Sequence, residues 1–283
     1  MRIDKNKLLP FSNLSHPSVA FLGPRTTFSH QAVLFFFGES VELSPQPGIT
    51  EIFESVEKNK ADFGMVPVEN SIEGSIHLTL DLLKERSLSI YGETTIPIKP
   101  YLIGSGKISA IREIYSHPQP IAQCRRWLRS HCPSALLIET PSTAAAVDKI
   151  ENRSDRAAIV TELAARTSHY PILAKNIQDM KSNKTRFFIL SKEKRSPGKN
   201  NKTSLVFLCH DRPGALVDCL KVFKFYHINL TKIESRPSKK QNWKYSFFVD
   251  LKGHEEDKIV KKALIRLKQT VLFLKVLGSY PVK

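Results

Sequence analysis

Between Ser18 and Thr167, short apolar stretches alternate with helical patterns, and this alternation restricts the fold more than any other feature. "SVAFL" (18–22) precedes "SHQAVLFFF", "DFGMVPV" (62–68) precedes "SIHLTLDLL", and "EIYSH" (113–117) precedes "PIAQCRRWLRS". "ALLIE" (135–139) and "AAIV" (157–160) are followed in the same way by "STAAAVDKI" and "TELAART". Strand–helix alternation predicts α/β units around mainly parallel sheet. Polar clusters fall where strands turn into helices: "GPRTTFS", "ENSIEGS", "SHPQP", "TPST" and "VTEL". Ligands of open α/β sheets bind outside the carboxyl ends of strands, where free backbone N–H groups favour anions. These turns are therefore the candidate site, with an anionic small molecule as its natural occupant.

A chain of 283 residues exceeds what one ordinary core organises, so about two domains are expected. "KEKRSPGKNNK" (192–202) has no apolar residue and has the composition of an exposed connection. It divides an upstream domain (18–191), preceded by a loose tail (1–17), from a downstream one (203–280). Downstream, the strand "TSLVFLC" leads through "HDRPG" to the helix "ALVDCLKVFKFY", then to "INLTKIESRP", "WKYSFFVDL", the helix "EEDKIVKKALIRLK" and "VLFLKVLG". The order βαββαβ predicts a ferredoxin-like domain.

Several function classes are argued against. The longest apolar run, "AVLFFF" (32–37), is far shorter than the roughly 20 residues of a membrane span. The N-terminal residues lack the apolar region of an export signal, so a cytoplasmic location is expected. Cys124, Cys132, Cys209 and Cys219 show no metal-ligand spacing and read as structural thiols; no metal is expected. The net charge of +16 divides into +2 for residues 1–185 and +14 for 186–283. That basic region has no aromatic-interleaved or helix-turn-helix pattern, which argues against nucleic acid as a partner.

"ADFGMVPVENSIEGSIHLTLDLL", "YSHPQPIAQCRRWL", "PSTAAAV" and "NIQDMKSNKTRFFIL" together resemble prephenate dehydratase. "DRPGALV" and "IESRP" resemble the ACT regulatory domain joined to it. The likeness runs in the family's order from Val19 to Gly278, and nothing resembling a chorismate mutase domain precedes it, as in the monofunctional arrangement. The resemblance implies a two-lobed catalytic domain like type II periplasmic binding proteins, with the active site between the lobes. It implies conversion of prephenate to phenylpyruvate in L-phenylalanine biosynthesis, with L-phenylalanine inhibiting from the ACT domain at a dimer interface. A homodimer or homotetramer is the expected assembly.

In that reaction one carboxylate leaves as carbon dioxide and the ring hydroxyl as water. The chemistry asks for donors to the side-chain carboxylate, a hydrogen bond or proton for the leaving oxygen, and a dry environment for the departing carboxylate. Aromatisation drives it, so no cofactor, metal or covalent nucleophile is needed. In the family's catalytic signature, Thr185 is expected to hydrogen-bond the leaving hydroxyl and Arg186 to pair with a substrate carboxylate or make a structural salt bridge. Phe187 would pack the lobe or shield the ring. Asn70 and Ser71 can donate to substrate, and Ser71 or Ser75 can cap the following helix, whose first turn Glu73 would support. Glu69 would brace a basic partner or, if desolvated, stay protonated and donate. Thr27, Ser29, Ser116 and Gln119 complete the expected substrate contacts, and His117 is a proton carrier by type or fixes its turn. In the regulatory part, Gly214, Ala215 and Leu216 suit an amino-acid carboxylate, and Glu234, Ser235, Arg236 and Pro237 suit ligand or partner contacts.

The chain departs from the family at Thr26, where glycine is usual, at Lys99-Pro100, where a histidine is common, and at Thr161-Glu162, where small residues are usual. Arogenate as substrate, or a non-enzymatic sensor of amino or keto acids on the same scaffold, are the alternatives these departures leave open.

Overall fold

The computed structural model of the chain describes residues 16–237 and 245–282. Most of the expected tail, and Trp243 and Lys244 of the expected "WKYSFFVDL" strand, lie outside the described residues.

The chain begins β1 (Ser18–Leu22), α1 (Phe28–Phe37), β2 (Glu42–Gln46), α2 (Ile49–Glu57), β3 (Phe63–Asn70), β4 (Gly74–Ser75), α3 (His77–Glu85) and β5 (Ser89–Pro97). It continues with β6 (Tyr101–Gly104), β7 (Glu113–Ser116), α4 (Pro118–Gln123), α5 (Arg125–His131), β8 (Leu136–Glu139), α6 (Ala145–Asp148), β9 (Arg156–Val160), α7 (Glu162–Thr167) and β10 (Ile172–Lys175). Then follow β11 (Lys184–Ser191), β12 (Asn201–Leu208), α8 (Ala215–Phe225), β13 (Leu230–Pro237), β14 (Tyr245–Lys252), α9 (Lys258–Thr270) and β15 (Phe273–Pro281).

Three sheets result. The first has the order β2-β1-β3-β11-β5, with β4 folded back on β3, and the second β10-β6-β9-β7-β8. The chain passes from the first sheet to the second after β5 and returns once, at β11, so the first sheet gathers strands from two stretches of sequence and the second from one. The second sheet is mixed: β7 runs parallel to β8 and β9, whereas β6 runs antiparallel to β9 and β10. This corrects the mainly parallel expectation. The strands β6 and β10 had no helix of their own to announce them.

The third sheet, β13-β14-β12-β15, is antiparallel throughout and carries the βαββαβ order read from the sequence. Its helices α8 and α9 bury Cys219, Val222, Phe223, Val260, Ala263 and Leu267 against Leu205, Phe207, Val249 and Leu251. Cys209 lies 3.5 Å from Cys219, whose thiol burial pushes up to about 12, while Cys124 and Cys132 pack in the core under the second sheet. Such thiols behave as small apolar residues.

By contact the chain falls into two compact units. One comprises Met65–Ile76, Thr94–Phe187 and the described part of Met1–Ile52; the other comprises Phe53–Gly64, His77–Glu93 and the described part of Phe188–Lys283. In the second unit α3 lies against the antiparallel sheet. Arg236 approaches Asp81 at 3.4 Å and Lys84 Nζ donates to Ser246 Oγ at 2.8 Å. Lys275 Nζ donates to the carbonyls of Leu83 (2.7 Å), Lys84 (3.3 Å) and Arg86. A helix leaves its last carbonyls unpartnered, and a lysine there satisfies both the hydrogen bonds and the dipole.

Candidate active site

The stretch "VPVENSIEGS" is a hairpin rather than an open loop. β3 extends through Glu69 and Asn70, and β4 returns beside it with Glu69 opposite Ser75 and Asn70 opposite Gly74. Gly74 has φ +85°, a left-handed conformation that glycine adopts freely. The turn is organised by Asn70, which is 4% exposed. Its Oδ1 accepts from the backbone N–H of Ile72 (2.9 Å) and Glu73 (3.2 Å). Because backbone N–H groups can only donate, the orientation of the amide is determined, and Nδ2 must face the other way. From there it donates to Asn183 Oδ1 and to Thr185 Oγ1, both at 2.9 Å.

This geometry determines what Thr185 can do. Its oxygen accepts from Asn70, so its own hydrogen remains to be donated elsewhere. Thr185 is 8% exposed, and a hydroxyl with a prescribed direction in a dry site stabilises developing charge without reorganising. Ser71 ties the same strands together: its N–H donates to Lys184 O at 2.9 Å, and its Oγ accepts from Lys184 N–H at 3.0 Å. Ser71 therefore does not cap α3. Ser75 belongs to β4, two residues before His77. Phe187, 2% exposed, continues the Thr185 side of β11 and packs in the interior.

Arg186 and Glu69 stand apart from this group. Successive residues of a strand face opposite sides, so these two project away from the face shared by Asn70 and Thr185. They approach each other at 3.8 Å, which is an ion-pair distance rather than a hydrogen bond. Glu73, expected to support the first turn of α3, does not lie there. It lies in the hairpin turn, where its carboxylate accepts from Gln119 Nε2 at 2.6 Å and from Gln123 Nε2 at 2.9 Å. Gln119 thus joins the hairpin indirectly, and Gln123, which the sequence reading did not single out, joins with it.

Three expected contacts are committed to structure. Ser116 Oγ donates to Ile159 O at 2.7 Å with no exposed surface. His117 precedes α4, and its Nδ1 accepts from the Gln119 N–H at 3.2 Å, as a turn-fixing cap does. Thr27 precedes α1, donating to Pro24 O at 3.0 Å and accepting weakly from His30 N–H at 3.4 Å. Ser29 is buried in the first turn of that helix.

The first turn also carries the departure at Thr26, whose φ is +67°. A β-branched residue pays for a left-handed backbone, by about 1–3 kcal/mol. The hydrogen bonds of Thr26 that reach other elements use its backbone: its N–H donates to His30 Nδ1 at 2.9 Å and its carbonyl accepts from Thr161 Oγ1 at 2.5 Å. Thr26→Gly keeps both and should raise stability by about 1 kcal/mol after the entropy cost of glycine, measured by urea denaturation; a lower midpoint would contradict this account. Burial, reinforced by the Arg25 charge, holds the His30 imidazole below its ordinary 6.5. The folded chain therefore keeps His30 neutral while the unfolded chain binds a proton as pH falls through 6.5. Its contribution is intact above that pH and is lost below it. Thermal melts at pH 7.5 and 5.5 should show a drop that His30→Gln reduces.

Glu162, the carboxylate at the second lobe's turn, is paired with Arg166 at 2.5 Å and interacts with Tyr101, whose hydroxyl is held above its usual value by burial first and by Glu162 second. Its charge is thereby balanced locally.

In the regulatory part, Gly214 opens α8 with φ +78°, Ala215 is buried and Leu216 half-buried. Ser246 pairs with both Leu208 and Arg236, so the strand end leading to Gly214 and the segment Glu234, Ser235, Arg236, Pro237 lie at the same end of the sheet.

Two α/β sheets joined by a double crossover, a buried hydroxyl–amide trio and an appended βαββαβ domain define a small-molecule enzyme with an ACT-type module. The prephenate dehydratase family model matches residues 19–195 and the ACT domain model residues 203–269. The chain is 49% identical over 264 residues to the bifunctional chorismate mutase/prephenate dehydratase of Aquifex aeolicus, covering 93% of this chain and 73% of that protein. It is 39% identical over 275 residues to the prephenate dehydratase of Methanocaldococcus jannaschii, covering 94% and 98% of the two. Among solved structures, prephenate dehydratase from Arthrobacter aurescens in complex with L-Phe superposes with a TM-score of 0.84 at 33% identity, over 94% of this chain and 90% of that one. The chain belongs to the prephenate dehydratase family.

Proposed function

We propose that this chain converts prephenate to phenylpyruvate, with carbon dioxide and water as the other products, and that L-phenylalanine inhibits it through the ACT domain. The observation that carries the reading is the orientation of Thr185. With Asn70 donating to its oxygen, the Thr185 hydrogen is left for the ring hydroxyl, the group that must depart. An ordinary alcohol is a poor acid, so Thr185 serves as a hydrogen-bond donor to the leaving oxygen. Glu69 and Arg186 act as a brace for the strands that carry Asn70 and Thr185, in keeping with their mutual approach. His117, Ser116, Thr27 and Ser29 shape the turns around the substrate, and Phe187 walls it.

Regulation fits the arrangement at the end of the third sheet, where Gly214–Leu216 and Glu234–Pro237 offer backbone and side-chain groups to an amino acid. The domains of this reading are 18–191, a linker at 192–202 and 203–280. The assembly is a homodimer or homotetramer, the location cytoplasmic, and neither metal nor cofactor takes part. Phenylpyruvate formation from prephenate by the purified chain, with and without L-phenylalanine, tests both halves. Turnover suppressed by L-phenylalanine is expected. A folded protein that leaves prephenate untouched would overturn the catalytic reading.

A further inference from the structure

A cavity of about 590 Å³ opens beside the catalytic trio. Asn183 lines it, together with Gln123, Gln178 and the arginines Arg125, Arg126 and Arg129. Asn183 is 1% exposed; its Oδ1 is taken by Asn70, and its Nδ2 has no acceptor among the described residues. A buried donor without an acceptor carries a desolvation cost that a ligand oxygen removes. Gln178, 9% exposed, leaves Oε1 unpartnered, an acceptor that suits a ligand hydroxyl rather than a carboxylate.

The charges of the lining point to the class of ligand. Its two carboxylates are already engaged: Glu73 by Gln119 and Gln123, and Asp179 by the backbone N–H groups of Arg126 (2.9 Å) and Trp127 (3.0 Å). The side chains of Arg125, Arg126 and Arg129 make no ion pair among the described residues. Three uncompensated guanidinium groups around the unpartnered Asn183 Nδ2 donor suit a carboxylate.

We propose that this cavity holds the side-chain carboxylate of prephenate, the one retained in the product, with Asn183 Nδ2 donating to it and Arg126 and Arg129 neutralising it. The inference rests on the prephenate reading above. The choice between the two carboxylates follows from the reaction. Cations on the departing carboxylate stabilise the ground state more than the transition state and slow loss of carbon dioxide. The cationic cavity therefore belongs to the group that stays, and Asn183 is a positioning residue that aligns the substrate with the Thr185 hydroxyl. Unpaired arginines also attract a dianion through solvent, an effect that salt screens.

The test combines Asn183→Ala with the double variant Arg126→Gln/Arg129→Gln. For the double variant, KM for prephenate should rise about 30-fold with kcat within about threefold, and the salt dependence of kcat/KM should flatten. Asn183→Ala should raise KM about tenfold. Phenylpyruvate carries the retained carboxylate and lacks the departing one, so its inhibition constant should rise in parallel. A folded double variant with wild-type KM and salt dependence, or with unchanged phenylpyruvate affinity, overturns the proposal. Calorimetric titration with phenylpyruvate separates the two readings. Should the wild-type chain fail to turn over prephenate, binding that the double variant loses would still support the cavity assignment, whereas binding that it retains would overturn that too.

Discussion

Thr185→Val should lower kcat by about 100-fold or more while leaving KM within a few-fold. The substitution preserves shape and removes the hydrogen that Asn70 forces outward. Removal of one preorganised donor to a developing charge costs about 10²–10³ in kcat. Valine also deprives Asn70 Nδ2 of one of its two acceptors, so a loss of stability of about 1–3 kcal/mol should accompany the kinetic effect. Thr185→Ser separates the two, since it restores the hydroxyl and should recover most of both. Steady-state kinetics with parallel melts decide the matter; near-normal turnover by a folded Thr185→Val enzyme would remove Thr185 from the chemistry.

The largest expected effect on stability lies in the second compact unit. A Cβ added at Gly278 would sit 2.2 Å from the carbonyl oxygen of Ile90 and 2.7 Å from its nitrogen. Backbone atoms of a buried strand cannot yield as the tip of a side chain can, so β15 would have to move away from β5. Gly278→Ala should therefore cost about 3 kcal/mol or more, read as a lowered midpoint in urea. The pairing of β15 with β12 is irregular at this level: Ser204 faces Gly278 and Leu205 faces Val276. The irregularity brings the bare backbone of Gly278 against Ile90. A wild-type midpoint would show that the two strands are not in contact there.

Periodicity made much of this fold legible. β1 coincides with "SVAFL" and α8 with "ALVDCLKVFKF", because a short continuous apolar run and an amphipathic segment need no distant information. "PIAQCRRWLRS" read as one helix but breaks at Cys124 into α4 and α5. The cause is Asp179, whose carboxylate caps the N–H groups of Arg126 and Trp127 from more than fifty residues away. β2 escaped notice because Pro45 interrupts "ELSPQ", which is tolerable for a strand paired on one side only.

The site was legible by residue type and only partly by arrangement. Asn70 and Thr185 stood out in the family's motifs, but their contact spans 115 positions and no local pattern announces it. Asn183, in the polar run before β11, was not singled out by the sequence reading. The available signal was its spacing: positions 183, 185 and 187 share one face of an extended chain. The same alternation places Arg186 with Glu69 on the other face, which the motif, read as a block, concealed.

The hairpin around Asn70 also bears on how long the protein keeps its chemistry. An asparagine followed by serine ages when the next backbone nitrogen attacks the side-chain amide, converting it to a carboxylate. Here that nitrogen, of Ser71, is engaged with Lys184 O, and the amide is held at both of its ends. A carboxylate at position 70 would have no hydrogen to give Asn183 or Thr185, so deamidation of this one side chain would silence the site. The bonds that aim the Thr185 hydroxyl thus also preserve the amide that aims it.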